Sequence, residues 1–323
     1  MASIICGVDV SSTALDARVG HEAEGPFRRF GRDAQGVTAL AAFCREHGVE
    51  LVVMEATGGY ERLPFGLLWA EGVPAAVVDP RAVRRFAEAM GLIEKTDRID
   101  AGVIAWYAET KRVAARPPAG AAQRRLTAWV TRLRQLTEAR VAQANQRRLV
   151  DEPEVLASID EVIAPLVKQV RGLEAKIVDL IAADPLWAEL DAEFRAIKGV
   201  AGRTTARLMA EMPEIGTLSG KAAAKLAGLA PIADDSGKAS GKRPTRAGRT
   251  GVRSILFIVA EVVRRHDPDF AAFHARLTAA GKPKKAIRVA LAHKLLTRLN
   301  AKARAVRAKL EQARAARAAP QPA

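Results

Sequence analysis

Four carboxylates, Asp9, Glu55, Asp97 and Asp100, have the chemical type and the positions needed to hold divalent cations. Asp9 closes the apolar run Ile4-Ile5-Cys6-Gly7-Val8, and Glu55 closes Leu51-Val52-Val53-Met54. Asp97 and Asp100 fall three residues apart in Lys95-Thr96-Asp97-Arg98-Ile99-Asp100-Ala101, on a predicted helix with Thr96 as its N-cap. Like charges so spaced repel unless a cation lies between them. Mg²⁺ and Mn²⁺ prefer oxygen donors, and strand ends converging from distant parts of a chain can supply a site for metal-assisted phosphoryl transfer. Taken singly, Asp97 could offset a helix dipole and Asp9 could cap the polar turn Val10-Ser11-Ser12-Thr13. Glu55, ahead of Ala56-Thr57-Gly58-Gly59, has no such turn-forming role, and the four together favour a metal site. Asp79, also at a strand end, precedes Pro80 and reads as a turn initiator.

A second group of residues is basic. Residues 231–254 set Lys238, Lys242, Arg243, Arg246, Arg249 and Arg253 among glycines and serines, whose small side chains let a phosphate come close to the backbone. Lys198 and Arg203 flank the glycines of Ile197-Lys198-Gly199-Val200-Ala201-Gly202, a spacing suited to a helix-hairpin-helix that presents backbone N–H groups to DNA phosphates; a plain helix-loop-helix has the same glycines. Over the whole chain 51 Lys and Arg face 36 Asp and Glu, a net charge of +15, with a pI near 10.3. A polyanion is the natural partner, nucleic acid ahead of an acidic membrane. No apolar run is long enough to span a bilayer and the N-terminus lacks the pattern of a signal peptide, so a cytoplasmic location is expected. Cys6 and Cys44 fall inside a predicted strand and a predicted helix, which suits buried, reduced thiols and gives no zinc-ligand spacing.

These residues must be positioned by elements that the hydrophobic pattern marks out. The chain has 323 residues and 49% apolar content, enough for two domains. Residues 3–10 and 14–20 predict a strand pair, 27–30 a third strand and 34–47 a helix, followed by strand 50–54, helix 62–71, strand 75–78 and helices 81–90 and 97–113. A hairpin-led sheet followed by strand–helix alternation describes a mixed ribonuclease-H-like α/β domain, over 1–116. Neither a G-x-G-x-x-G after the first strand nor a Walker loop is present, which disfavours a nucleotide-driven enzyme. Pro117-Pro118-Ala119-Gly120 punctuates the chain. Beyond it, apolar residues three or four apart predict two long helices, a coiled-coil arm over 121–190 that packs within one chain or joins two. An all-helical C-terminal domain follows over 194–310, with 311–323 a flexible tail; fraying is expected from Ala303 onward.

Three N-terminal blocks, GVDVSSTALDARV, VVMEATGGYERLP and VDPRAVRRFAEAMGLIEKTDRIDA, resemble the DEDD insertion-sequence transposases, KTDRIDA being the most specific. IKGVAGRTTARLMAEM, KLAGLAPIADDSGK, GVRSILFIVA and KPKKAIRVALAHKLL extend the resemblance over nearly the whole chain. It implies a RuvC-like N-terminal domain whose acidic tetrad, matched here by Asp9, Glu55, Asp97 and Asp100, binds Mg²⁺ or Mn²⁺. It also implies a serine nucleophile in the C-terminal domain, a covalent phosphoserine link to DNA, and guidance by a non-coding bridge RNA that pairs with donor and target DNA. The matching position is Ser236, in Asp234-Asp235-Ser236-Gly237-Lys238, with Ser240 four residues on as its competitor. The reading is then of a homodimeric or homotetrameric DNA recombinase. A metal-dependent nuclease and a non-catalytic nucleic-acid-binding protein are the rivals, and neither accounts for the serine and the tetrad together.

Overall fold

The computed structural model describes residues 4–22, 24–92, 97–232, 235–236, 239–240 and 244–318, with the backbone alone for 97–99, 235–236, 239–240 and 318. The chain divides into two compact units, Met1–Ala119 and Gly120–Ala323.

The first unit contains β1 (Ile5–Val10), β2 (Ala14–Val19), β3 (Phe27–Gly31), α1 (Ala34–Glu46), β4 (Leu51–Glu55), α2 (Arg62–Ala70), β5 (Ala75–Val78), α3 (Pro80–Ala89) and α4 (Asp97–Lys111). The order across the sheet is β3-β2-β1-β4-β5, with β1 antiparallel to β2 and parallel to β4. This is the mixed α/β sheet expected from the sequence. Alternation along a strand sends neighbouring side chains to opposite faces. Cys6, Val8 and Val10 of β1 join Val52 and Met54 of β4 in a core with α1 and α2. Ile5, Leu51 and Val53 face α3 and α4, in a core with Val83, Ala87, Ile104 and Ala108. By the same alternation Asp9 and Glu55 belong to the α3–α4 face. Asp79 caps α3 through a 2.9 Å bond from the Arg81 N–H, with Pro80 at the first helical position, as its reading as a structural residue requires. Thr96, the expected cap of α4, lies outside the described residues.

Gly7 sets how close α4 can come. A Cβ there would sit 2.0 Å from the Ala101 carbonyl oxygen and 2.7 Å from the Ala105 nitrogen, well inside van der Waals contact. The helix backbone therefore rests directly on β1, with the small Ala101 and Ala105 at the contact, both buried. An isolated glycine in an apolar strand is the sequence signal for such an approach.

The second unit begins with α5 (Ala121–Arg147) and α6 (Pro153–Ala182), an antiparallel helical pair. It continues with α7 (Pro185–Arg195), α8 (Gly202–Glu211), α9 (Gly220–Leu226), the two-residue strands β6 (Asp235–Ser236) and β7 (Ala239–Ser240), α10 (Thr250–His266), α11 (Pro268–Ala279) and α12 (Lys284–Ala318). Leu126, Val130 and Leu133 of α5 and Val170, Ile177 and Ile181 of α6 share one core with Phe194, Leu208, Leu256 and Leu295, so the root of the arm and the C-terminal helices are one body. Toward the turn between α5 and α6 the apolar stripe is only half-covered at Leu156, Ile159 and Ile163, and Leu149 is exposed.

The expectation of fraying from Ala303 is corrected. α12 continues unbroken to Ala318, with Ala303 and Val306 buried one turn apart. Arg307 donates to the carbonyls of Ile215 and Pro213, and Lys309 pairs with Glu189. Alanine and arginine are strong helix formers, and these anchors give the tail something to hold.

Candidate active site

Asp9, Glu55 and Asp100 line one cleft of about 370 Å³ in the first unit, all three half-buried. They arrive on three elements: β1, β4 and the first turn of α4. Parallel pairing of Val8 with Met54 puts Asp9 and Glu55 at adjoining register positions on one edge of the sheet. The approach of α4 permitted by Gly7 brings Asp100, the neighbour of Ala101, over the same edge. Thr57, Pro80, Arg84 and Leu92 complete much of the wall. Arg84 Nε also reaches Glu88 Oε1 at 3.1 Å, one turn along α3. Thr57 and Arg84 escaped the sequence reading, because Thr57 lies in a loop and Arg84 is one of several arginines on an exposed helix.

The fourth carboxylate, Asp97, begins α4, and its side chain lies outside the described residues. Among the described residues no group of three His, Cys, Asp or Glu side chains is gathered closely enough to hold an ion as it stands. The donor chemistry nevertheless fits. Three carboxylates on one cleft, with neither thiol nor imidazole among its lining residues, suit a hard oxygen-seeking cation such as Mg²⁺ or Mn²⁺.

Asp16, directly across from Asp9 on β2, is a different kind of acid. It is 2% exposed and held by a bidentate bond from Arg29, 2.8 Å to each oxygen. A carboxylate so neutralised is structural. Cys6 and Cys44 are both buried and free, under the opposite sheet face from the cleft.

In the second unit, Ser236 pairs in register with Ala239, and Ser240 with Asp235, so the two serines occupy non-equivalent positions of one short hairpin. The hairpin grows from a base closed by the bridge Pro231–Thr245 and by a 3.1 Å bond from the Ile232 N–H to the Pro244 carbonyl. The basic residues proposed around it divide into groups. Lys238, Lys242 and Arg243 lie outside the described residues. Arg246 is exposed. Arg249 makes a bidentate pair with Glu214, at 2.6 and 2.7 Å, and donates to the Glu211 carbonyl, so it braces the start of α10. Arg253 donates to the Ala247 carbonyl at 2.9 Å and holds the preceding turn. Farther off, Arg203 is paired with Glu174 across α8 and α6, whereas Lys198 stands exposed on the turn between α7 and α8. That turn has Gly199 at φ +99°, packed against Val262 and Val263, as a close helix–turn–helix requires.

Two family models match separate stretches of the chain, the first running past the boundary between the two units to the end of α5. A family model described as a transposase matches residues 6–150, and a second, described as the transposase IS116/IS110/IS902 family, matches residues 191–275. The chain belongs to this transposase family. Asp9, Glu55, Asp97 and Asp100 of this transposase fall within the first matched range and Ser236 within the second, whereas residues 151–190 and 276–323 lie outside both. A "pilin gene-inverting protein" of Moraxella bovis is 26% identical over 308 residues, 92% of this chain and 94% of the relative. Its counterpart from Moraxella lacunata matches to the same extent. The solved RuvC structure of Thermus thermophilus is 17% identical and covers 35% of this chain and 98% of its own, with a TM-score of 0.25. Among the described residues, no helix is long and apolar enough to cross a membrane.

Proposed function

We propose that this transposase cuts and rejoins DNA through a covalent phosphoserine intermediate, with Asp9, Glu55, Asp97 and Asp100 as metal ligands and Ser236 as the nucleophile. The observation that carries the reading is the meeting of Asp9, Glu55 and Asp100 on one cleft, in a chain whose residues 191–275, with Ser236 among them, match the second transposase model. A bound Mg²⁺ or Mn²⁺ supplies electrostatic stabilisation of the phosphoryl group and lowers the pKa of an oxygen ligand.

The step itself belongs to the protein and the DNA. The Ser236 hydroxyl loses its proton and its Oγ attacks the phosphodiester phosphorus. One Oγ–P bond forms and one P–O bond to deoxyribose breaks, the departing sugar oxygen taking up a proton. Attack by the hydroxyl of a second strand reverses the bonds, restoring a phosphodiester and freeing the serine. Because each link is exchanged for another, strand order changes without a net hydrolytic loss, which suits the inversion named in the Moraxella relatives. Unactivated serine is a poor nucleophile, and the phosphoryl charge that builds in the transition state needs cations nearby. Lys238, Lys242, Arg243 and Arg246 around the hairpin are assigned to that charge and to the DNA backbone, with Lys198 on a second phosphate; Arg203, Arg249 and Arg253 act through the internal contacts that hold these segments.

The partners follow from the same reading: donor and target DNA, an element-encoded guide RNA, and a second copy of the chain. The half-covered stripe at Leu156, Ile159 and Ile163 supports a dimerising arm, and in a dimer one chain can give the tetrad while another gives the serine. The test is incubation of protein, guide RNA and cognate DNA with Mg²⁺, followed by denaturing gels. A protein–DNA adduct is expected for the wild type and Ser240→Ala, and none for Ser236→Ala. Adduct formation by Ser236→Ala would remove the nucleophile assignment, and free DNA ends without any adduct would make the enzyme a nuclease. Mixing Ser236→Ala with Asp9→Ala chains should restore recombination if the site is shared.

A further inference from the structure

A groove of about 1520 Å³ opens between α11 and α12 in the second unit and reaches the base of the serine hairpin, where Pro231, Pro244 and Thr245 form part of its wall. It exceeds the roughly 300–1,000 Å³ of an ordinary small-molecule pocket, so a segment of a polymer suits it better than a metabolite. Its lining combines two features that rarely coexist on an idle surface. One is apolar: Phe273 of α11, with Val289 and Ala290 on the facing side of α12. The other is cationic: Arg276, Lys282, Lys285, Lys294 and Arg298 all line it, and among the described residues no carboxylate does.

The cations are arranged about the ring. Lys294 Nζ lies 5.0 Å and the Arg276 guanidinium 5.2 Å from the Phe273 centroid, and Phe273 is half-buried. Arg298 is committed to Asp267 and Asp269, and Lys294 donates to the Asp269 carbonyl. Lys282 and Lys285 are exposed and take part in no ion pair among the described residues. A ring held among cations, with free ammonium groups at the rim, is the constellation by which proteins hold unpaired nucleic acid: bases stack on the aromatic and the backbone lies along the positive charge. A duplex would offer this groove phosphates alone and leave its apolar wall facing solvent.

We infer that this groove binds an unpaired stretch of DNA strand and leads it to the hairpin that carries Ser236. DNA is favoured over RNA because the groove reaches the base of the hairpin, and the strand that must reach a serine nucleophile is the DNA; in this the inference rests on the function proposed above. Binding can be measured without the chemistry, so the two can fail separately.

The experiment is fluorescence anisotropy with full-length Ser236→Ala protein and no divalent metal, using a labelled DNA single strand, its duplex and an RNA of the same sequence. The unpaired DNA is expected to bind more tightly than the duplex. Lys282→Glu with Lys285→Glu should weaken it about tenfold and lower the salt dependence by about 1.4 in log–log slope, about 0.7 for each phosphate no longer neutralised. Phe273→Leu, which keeps an apolar side chain against the core, should weaken it about fivefold or more through the absence of stacking. Lys168→Glu with Arg171→Glu on α6 makes the same charge change elsewhere and should leave affinity within about twofold. Halogenated thymine in the strand, irradiated, should cross-link to the peptide containing Phe273. Equal loss in the α6 control would reduce the effect to net charge. RNA binding as tightly as DNA, duplex preference, or cross-links away from α11 and α12 would each overturn the inference, whatever Ser236 proves to do.

Discussion

In the first unit the candidate carboxylates Asp9 and Glu55 stand on a sheet with a packed core beneath each face and Asp100 on the helix laid against it, whereas in the second the candidate serine, Ser236, stands on a strand of two residues. Asp9 and Glu55 are fixed by alternation and register, and Asp100 by the seating of α4 against Gly7. Among the described residues, the base of the serine hairpin is closed by the Pro231–Thr245 bridge and the bond from the Ile232 N–H to the Pro244 carbonyl. The places of these three carboxylates are thus set by the fold. On the function proposed above, the groove that reaches the base of the serine hairpin is what a DNA strand would meet first. On that proposal, preorganisation belongs with the groups that would stabilise charge, while a serine that would become bonded to a long polymer benefits from an approachable mount.

The strongest way to break the comparison is to remove a carboxylate without disturbing the sheet. Asp9→Asn should lower adduct formation by more than about a hundredfold, since even the partners that merely orient a metal's ligands commonly cost roughly 10–100-fold when removed. Circular dichroism should remain that of the wild type. Substantial activity in Asp9→Asn would mean that the cleft is not the site of chemistry.

Gly7→Val tests the seating of α4 instead of the acid itself. The added carbons must displace a helix whose carbonyl lies 2.0 Å from the new Cβ position, so a loss of about 3 kcal/mol or more is expected, at the upper end of ordinary overpacking. In a melt of the N-terminal unit this is a fall of roughly 10 °C or more. Adduct formation should fall with it even at temperatures where the protein is folded, because Asp100 moves with the helix. Unchanged melting would show that α4 does not rest on β1.

Arg249→Met probes the bracing of the second unit. Both Arg249 and Glu214 are about one-third exposed, at 35% and 36%, so solvent screening limits their pair, and a loss of about 1 kcal/mol is expected in urea unfolding. DNA affinity should change little, in contrast with substitutions at Lys282 and Lys285. A loss of affinity as large as theirs would return Arg249 to the DNA interface.

The smallest effect concerns acid. Burial alone would raise the Asp267 carboxyl, but the bond from Arg298 and those from the Phe270 and Asp269 N–H groups hold it below its ordinary value of 3.8. A folded value below the unfolded one means that the native state binds the proton more weakly. The contribution to stability is therefore complete above pH 3.8 and is lost as pH falls through the folded value. Asp267→Asn should flatten the acid limb of a stability–pH curve below pH 3.8 and leave its shape at neutral pH unaltered; an identical acid limb would count against the pair.

Much of this arrangement is legible in the residues. The alternation of β1 and β4, the Asp79-Pro80 cap and the apolar spacing of α5 and α6 fixed their elements to within a few residues, because each is a local pattern. The short α9 escaped the periodic reading, since seven residues give too few turns to reveal a face. The helical continuation of α12 escaped it because an Ala–Arg sequence looks solvated until Ala303 and Val306 find partners. The basic residues near the serine could be counted from the sequence but not sorted. Arg249, engaged with Glu214, and Arg246, left exposed, are alike in a one-dimensional reading.

The sequence by itself determined the chemistry on offer: oxygen donors at strand ends, a serine in a glycine-rich basic loop and a strongly positive chain. Those follow from residue type and local periodicity. The tertiary structure alone decided that Asp9, Glu55 and Asp100 share a cleft, that Gly7 is what lets them, and that Phe273 and Lys285, twelve residues apart on different helices, line one groove. Convergence of that kind depends on register, helix approach and long-range packing, which no local spacing encodes.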